Sequence, residues 1–252
     1  VSNNNTRDGV NIAASSSAYL TTATVTANGN GRHGISVANN SGLMAYTSSI
    51  IIQNNLGSAT NNGKGIQVYG GSSIHLQNSS SLLNEDNGLD GMGVGSASSF
   101  YADASSTLTV RTAKRYGISV WSDSSLQLAG TALVVENNVS YGVNVSTSSN
   151  LFIQGALTIQ NNANIGLSLY QGTAYVDIPA MLTVSGSTGQ GIGINLGNKS
   201  ALGVSGGLLV QNNTGTSGNG INITNGSQVT LYPTSSKAVV VQNNGYGIRL
   251  WD

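Results

Sequence analysis

The densest group of side chains able to do acid–base chemistry lies between residues 85 and 115: Glu85, Asp86 and Asp90, then Arg111, Lys114 and Arg115. Carboxylates set close together can hold a divalent cation or work as a proton donor and acceptor pair, and a neighbouring base can take a proton from a substrate. The candidate catalytic residues are therefore Asp86, Asp90, Arg111, Lys114 and Arg115. The competing expectation is charge pairing between repeats, with Arg111 set against Glu136, worth roughly a few tenths of a kcal/mol and needing no function. His33 and His75 stand alone, and no His/Asp/Glu spacing suggests zinc. No metal ligands and no Ser-His-Asp order can be read. The other side chains suited to chemistry are aromatic, with flat faces that can stack on a ligand: Tyr69, Trp121 and Tyr170, with Trp251.

The repeat pattern says what positions these groups. A glycine followed by aliphatic, polar or Gly, aliphatic recurs at Gly9, Gly34, Gly65, Gly91, Gly117, Gly142, Gly166, Gly191, Gly220 and Gly247, in steps of 24 to 31 residues. One place on stand Val10, Ile35, Ile66, Met92, Ile118, Val143, Leu167, Ile192, Ile221 and Ile248; three places on, Ile12, Val37, Val68, Val94, Val120, Val145, Leu169, Ile194, Ile223 and Leu250. A period of two inside the unit is a strand with one buried face, and a period near 25 between units is a stack of repeats. Two further strand pieces fill each unit, one holding Leu43, Ile74, Phe100, Leu126, Leu151 and Val229, the other Ile52, Val110, Val135, Ile159, Val184, Val210 and Val241. Gly, Asn, Ser and Asp lie between them, the residues of sharp corners. Three short strands per unit predict one turn of a parallel β-solenoid, about ten coils rising ~4.8 Å each. The Asn after the third strand (Asn137, Asn161, Asn212 and Asn243) is expected to share the inward side of the Val before it and to stack on its equivalents as an amide ladder.

The string hydrophobic-x-Val-Gln-Asn-Asn…Gly-Ile-x-Val, clearest over Leu157 to Leu169, Leu208 to Ile223 and Val239 to Leu250, resembles the parallel β-helix repeat of the right-handed, pectate-lyase-like superfamily. The resemblance implies an all-β, single-stranded right-handed parallel β-helix over residues 1–252, one domain. It says little about activity, since that superfamily includes lyases, hydrolases, tailspikes, adhesins and silent surface proteins. Its enzymes use clustered carboxylates to hold calcium with a basic residue as proton acceptor. Calcium is thus expected only if this chain is a lyase, and otherwise no cofactor.

On such a coil Tyr69, Trp121, Tyr170 and Trp251 follow the first strand on its outward side. Tyr69, Trp121 and Tyr170 fall on alternate coils, roughly 10 Å apart, a spacing suited to alternate rings of an extended sugar chain. They are the candidate ligand-binding residues, with Tyr19, Tyr101 and Phe152 outward on the second strand. The alternative is β propensity or cover by a neighbouring chain.

Composition fits a secreted or cell-surface rod. Charged residues make up 7%, and nine basic residues balance nine acidic ones, so no basic face exists for nucleic acid or anionic lipid. No apolar run approaches a membrane helix, so no membrane insertion is expected, and the absence of cysteine leaves the redox compartment open. Nine Asn-x-Ser/Thr sites are about what chance gives in a chain this rich in Asn, Ser and Thr. Only two prolines occur, Pro179 and Pro233. No signal peptide is read and Val1 is no initiator, so the chain reads as a processed product or a segment of a longer or oligomeric protein. The last signature strand is followed only by Trp251 and Asp252, so further chain or self-association is expected to cover Val239, Val241, Ile248 and Leu250. The expected function is a non-catalytic rod, a structural fibre, adhesin or spacer, with affinity for polysaccharide. The alternative is a lyase or hydrolase of an acidic polysaccharide, which the scarcity of charge disfavours.

Overall fold

Aliphatic–polar alternation, broken every few residues by side chains at home in left-handed backbone, makes short strands joined by sharp corners. In a computed structural model describing residues 1–58, 61–232 and 238–251, these strands wind into a parallel β-solenoid. Pro233 and Asp252 lie outside the described residues. Three parallel sheets run along the rod, two of ten strands and one of nine, so a coil gives one strand to each. Among the described residues there is no helix, hence none long and apolar enough to cross a membrane. The longest step, between Gly34 and Gly65, contains a small antiparallel hairpin pairing Gly57 and Ser58 with Asn62 and Asn61.

The signature strands form one sheet. Its inward columns run Ile35, Ile66, Met92, Ile118, Val143, Leu167 and Val37, Val68, Val94, Val120, Val145, Leu169, each residue paired with its equivalent one coil away. All are buried, and burying each aliphatic side chain contributes about 1.5–3 kcal/mol. In coil 8 the register differs from the sequence reading. Leu167 pairs with Ile194 and Leu169 with Leu196, so Gly193, not Gly191, holds the signature place. A slip of two leaves the same face inward, and Ile192 and Ile194 are both buried, so alternation alone cannot detect it. Ile248 and Leu250 belong to the same columns but are 56% and 74% exposed, with no later coil over them among the described residues.

The second sheet stacks Leu43, Ile74, Phe100, Leu126 and Leu151, and the third Ile52, Asn84, Val110, Val135, Ile159, Val184, Val210 and Val241. The signature glycine marks the corner where the third sheet meets the first. A Cβ on Gly117 would collide with Val135 Cγ1 and sit 2.7 Å from the Gly142 carbonyl oxygen. No side chain fits there.

The amide ladder exists, one residue later than alternation suggests. Asn137, Asn161, Asn212 and Asn243 have φ between 54° and 57°, and this left-handed step turns the chain so that the following residue points inward. The ladder is built from Asn30, Asn55, Asn87, Asn138, Asn162, Asn213 and Asn244. Asn30 Nδ2 donates to Asn55 Oδ1 at 2.8 Å, Asn55 to Asn87 at 3.0 Å, Asn138 to Asn162 at 2.8 Å and Asn213 to Asn244 at 2.9 Å. Each accepting oxygen also takes the backbone N–H of the donor residue, as with Asn30 N to Asn55 Oδ1 at 3.0 Å. Ala113 interrupts the ladder. Asn87 turns its amide to Asn84 Oδ1 at 2.6 Å, and Asn84 donates to the Gly91 carbonyl at 2.7 Å. The buried polar side chain in an otherwise aliphatic column thereby satisfies the donor that Ala113 leaves without a partner.

Candidate functional site

The residue directly before each signature glycine is Asp8, His33, Lys64, Asp90, Tyr116 and Tyr141 in the first six coils. Parallel winding stacks these positions, with Gly9 N donating to His33 O, Gly34 N to Lys64 O, Gly65 N to Asp90 O and Gly91 N to Tyr116 O. Residues 25 to 31 apart in sequence become a column of ionisable groups along one border of the signature sheet.

Asp90 is fully buried. Arg115 clamps it with two parallel hydrogen bonds, Nε to Oδ1 and Nη2 to Oδ2, both 2.8 Å, the fork geometry that makes arginine–carboxylate pairs strong. Lys64 Nζ lies 3.5 Å from Asp90 Oδ2 and 4.4 Å from the centre of the Trp121 ring. Burial lowers the Lys64 pKa, the Asp90 charge opposing and Arg115 adding to the shift. Hydrogen bonding to Asp90 raises that of Arg115. The Arg115 guanidinium stands 4.5 Å from the centre of Tyr116, whose ring stacks on Tyr141 at 5.0 Å.

At the other end of the column Asp8 holds Arg32, with Nε to Oδ1 at 2.6 Å and a second contact from Nη2 to Oδ2. Burial raises the Asp8 pKa, but hydrogen bonds from Arg32 and the His33 backbone outweigh it and leave the carboxyl below its usual range. His33 Nδ1 accepts the Lys64 backbone N–H at 3.3 Å, which leaves the neutral ring's proton on Nε2. Burial pulls the His33 pKa down to about 4, against the pull of Asp8.

Trp121 closes the arrangement. Its indole lies on Gly93 and Gly95, where side chains would have to be: a Cβ on Gly93 would meet Lys64 Nζ at 2.9 Å and Trp121 Cη2 at 3.1 Å, and one on Gly95 would overlap the indole. Between Tyr69 and Trp121 runs an open groove of about 270 Å³, bordered also by Arg32, His33, Ser36 and Gln67.

The sequence-predicted residues are thus distributed unevenly. Asp90 and Arg115 come together, and through Lys64 they reach Trp121. Arg111 pairs with Glu85 of the preceding coil at 2.5 Å, although its strand is also in register with Glu136, whose Oε2 instead takes Gln160 Nε2 at 2.7 Å. Asp86 and Lys114 are exposed, Asp86 at a left-handed corner, and neither pairs with Asp90 or Arg115 among the described residues. Tyr69 and Trp121 border one groove. Tyr170 stands apart over Gly197, where Asn198 donates to its hydroxyl, and Trp251 packs under Arg249 at 3.7 Å.

A calcium site does not fit these carboxylates. Both Asp90 oxygens are taken by Arg115, Glu85 by Arg111 and Gln53, and no three His, Asp or Glu side chains converge among the described residues. Lys64 and His33 were invisible to a search for clusters along the chain. The signal that finds them is their shared place before the glycine. Searches of family models, curated proteins and solved structures gave no match to this chain.

Proposed function

We propose that this chain is a non-catalytic rod of a secreted or cell-surface protein, a fibre, adhesin or spacer segment, which binds polysaccharide at the Tyr69–Trp121 groove. The observation that carries the reading is the use made of the charged groups. Arg115 and Lys64 both engage the buried Asp90, and Lys64 lies over Trp121, so these ions support an aromatic wall, and among the described residues no pair of free carboxylates faces the groove. A fixed aromatic wall with serine, glutamine and histidine beside it suits sugar rings, which stack through their C–H faces and hydrogen-bond at their edges. The finer family placement, in the right-handed pectate-lyase-like superfamily, is supported by the Val-Gln-Asn-Asn…Gly-Ile-x-Val string together with the stacked Asn ladder.

A polysaccharide lyase is the second reading. It is favoured by one feature, a lysine whose pKa burial lowers, beside Trp121. The test is incubation with neutral and acidic polysaccharides, following retention and product release together. Retention without products, weakened in Trp121→Ala and Tyr69→Ala, is expected. Unsaturated products that vanish in Lys64→Met, or in the Lys114→Ala/Arg115→Ala pair, would establish the lyase.

A further inference from the structure

A second, separate cleft lies on the outward face of the second sheet. The column there runs Tyr19, Met44, His75, Tyr101, Gln127, Phe152 and Tyr175, one per coil. It then drops to Gly203 before Thr230. The neighbouring outward position drops likewise, from Asn150 and Thr173 to Ala201, then returns to Gln228. Two small residues on one coil leave an open cleft of about 450 Å³ across the rod, with Tyr232 on its far side.

Tyr175 is preset within it. The ring leans over Gly203, where a Cβ would come within 2.7 Å of Tyr175 Cδ2, and its hydroxyl is 2.7 Å from Ser205 Oγ. Phe152 lies nearly parallel to it, 5.7 Å away at 9°. The aromatic surface is thus fixed at two points.

The lining decides the ligand's charge. Among the described residues no Asp, Glu, Lys, Arg or His borders the cleft, and its polar side chains there are amides and hydroxyls: Asn150, Thr173, Gln228 and Thr230. A charged ligand would lose hydration there without gaining a counter-charge. A pyranose ring loses little, because its C–H face can lie on Tyr175 while its hydroxyls meet amides and hydroxyls. From this we infer that the cleft at Tyr175 is a binding site for a neutral saccharide, distinct from the Tyr69–Trp121 groove and independent of it.

The test uses the whole chain and soluble neutral hexasaccharides (β-1,4-glucan, β-1,4-mannan, β-1,4-xylan), with oligogalacturonate and an uncharged extended peptide as comparators, by saturation-transfer NMR and calorimetry. At least one neutral hexasaccharide is expected to bind, with an affinity unchanged between low and high salt. Measured in a Trp121→Ala background, which removes the groove's contribution, Tyr175→Ala should weaken binding tenfold or more and Gln228→Ala about threefold. Circular dichroism and the melting temperature of each variant separate loss of binding from loss of fold. Tyr175→Phe, which keeps the ring and loses the tether to Ser205, should fall between wild type and Tyr175→Ala. Absence of binding by every neutral sugar, binding of the peptide alone, or loss in Trp121→Ala but not Tyr175→Ala would each overturn the assignment. The last of these would leave the groove reading intact.

Discussion

The two clefts solve one problem by opposite means. An outward side chain on a solenoid has no layer above it, so its orientation must come from an adjacent coil. At Trp121 that help is ionic: Lys64, held by Asp90, which Arg115 clamps. At Tyr175 it is neutral, a single hydroxyl contact to Ser205 and a parallel Phe152. The ion pairs found among the described residues all lie between Asp8 and Arg115, and the later coils are held by amides, hydroxyls and packing. An ionic support is sensitive to pH and to loss of any one member, because a survivor is left charged and buried. A neutral support is weaker, and it fails quietly.

That contrast can be broken by mutation. The largest effect should come from Asp90→Ala, which strands Lys64 and Arg115 beside each other. A loss of about 3–5 kcal/mol in denaturant unfolding is expected, with a shift in Trp121 fluorescence. A loss below 1 kcal/mol would mean that the pair does not hold the wall.

Acid should act next, and on the early coils. His33 takes its proton near pH 4 when folded and near 6.5 when unfolded, so the unfolded chain binds more protons between those values. The His33 contribution is complete above about pH 6.5 and declines as pH falls toward 4, by roughly 3 kcal/mol. Stability measured across that window should drop in the wild type and drop less in His33→Gln. Equal slopes in the two proteins would refute the assignment.

A smaller effect concerns the repaired ladder. Asn84→Val leaves the buried Asn87 amide without its acceptor and should cost about 1–3 kcal/mol. Adding Ala113→Asn restores an acceptor one coil on, so the double variant should recover about 1 kcal/mol or more of that loss. Strict additivity in the cycle would show that the two sites do not communicate. Smallest of all, Ser205→Ala should cost about 1 kcal/mol while leaving Trp121 fluorescence untouched.

Much of this was legible in the residues. The signature glycine with aliphatics at one and three places beyond it forces inward columns, because only a strand has that period and only stacking repeats it. Two things were hidden, both for local reasons. Asn137 and its equivalents take left-handed backbone, which resets the alternation by one, so the inward amide is Asn138 and not Asn137. Gly191 mimics Gly193 because a shift of two preserves the face. The candidate site was half visible. Asp90, Arg115 and Trp121 could each be singled out by type, but the link between them is Lys64, which lies 26 residues from Asp90 and 57 from Trp121. Stacking brings them together, and only the coil register reveals it.

The proposed function requires Trp121 to be a positioned wall for a sugar chain, in a rod that does no chemistry on that chain. The most direct measurement is a binding titration of soluble polysaccharides against Tyr175→Ala, which removes the second cleft, and against the Tyr175→Ala/Trp121→Ala double variant, with chain length and unsaturated ends of the polysaccharide monitored in the same samples and in the wild type. The expected result is saturable binding by Tyr175→Ala, at least tenfold weaker in the double variant, with the polysaccharide recovered at its original length in all three. Shortened chains in the wild-type samples, or equal binding by the two variants, would contradict it.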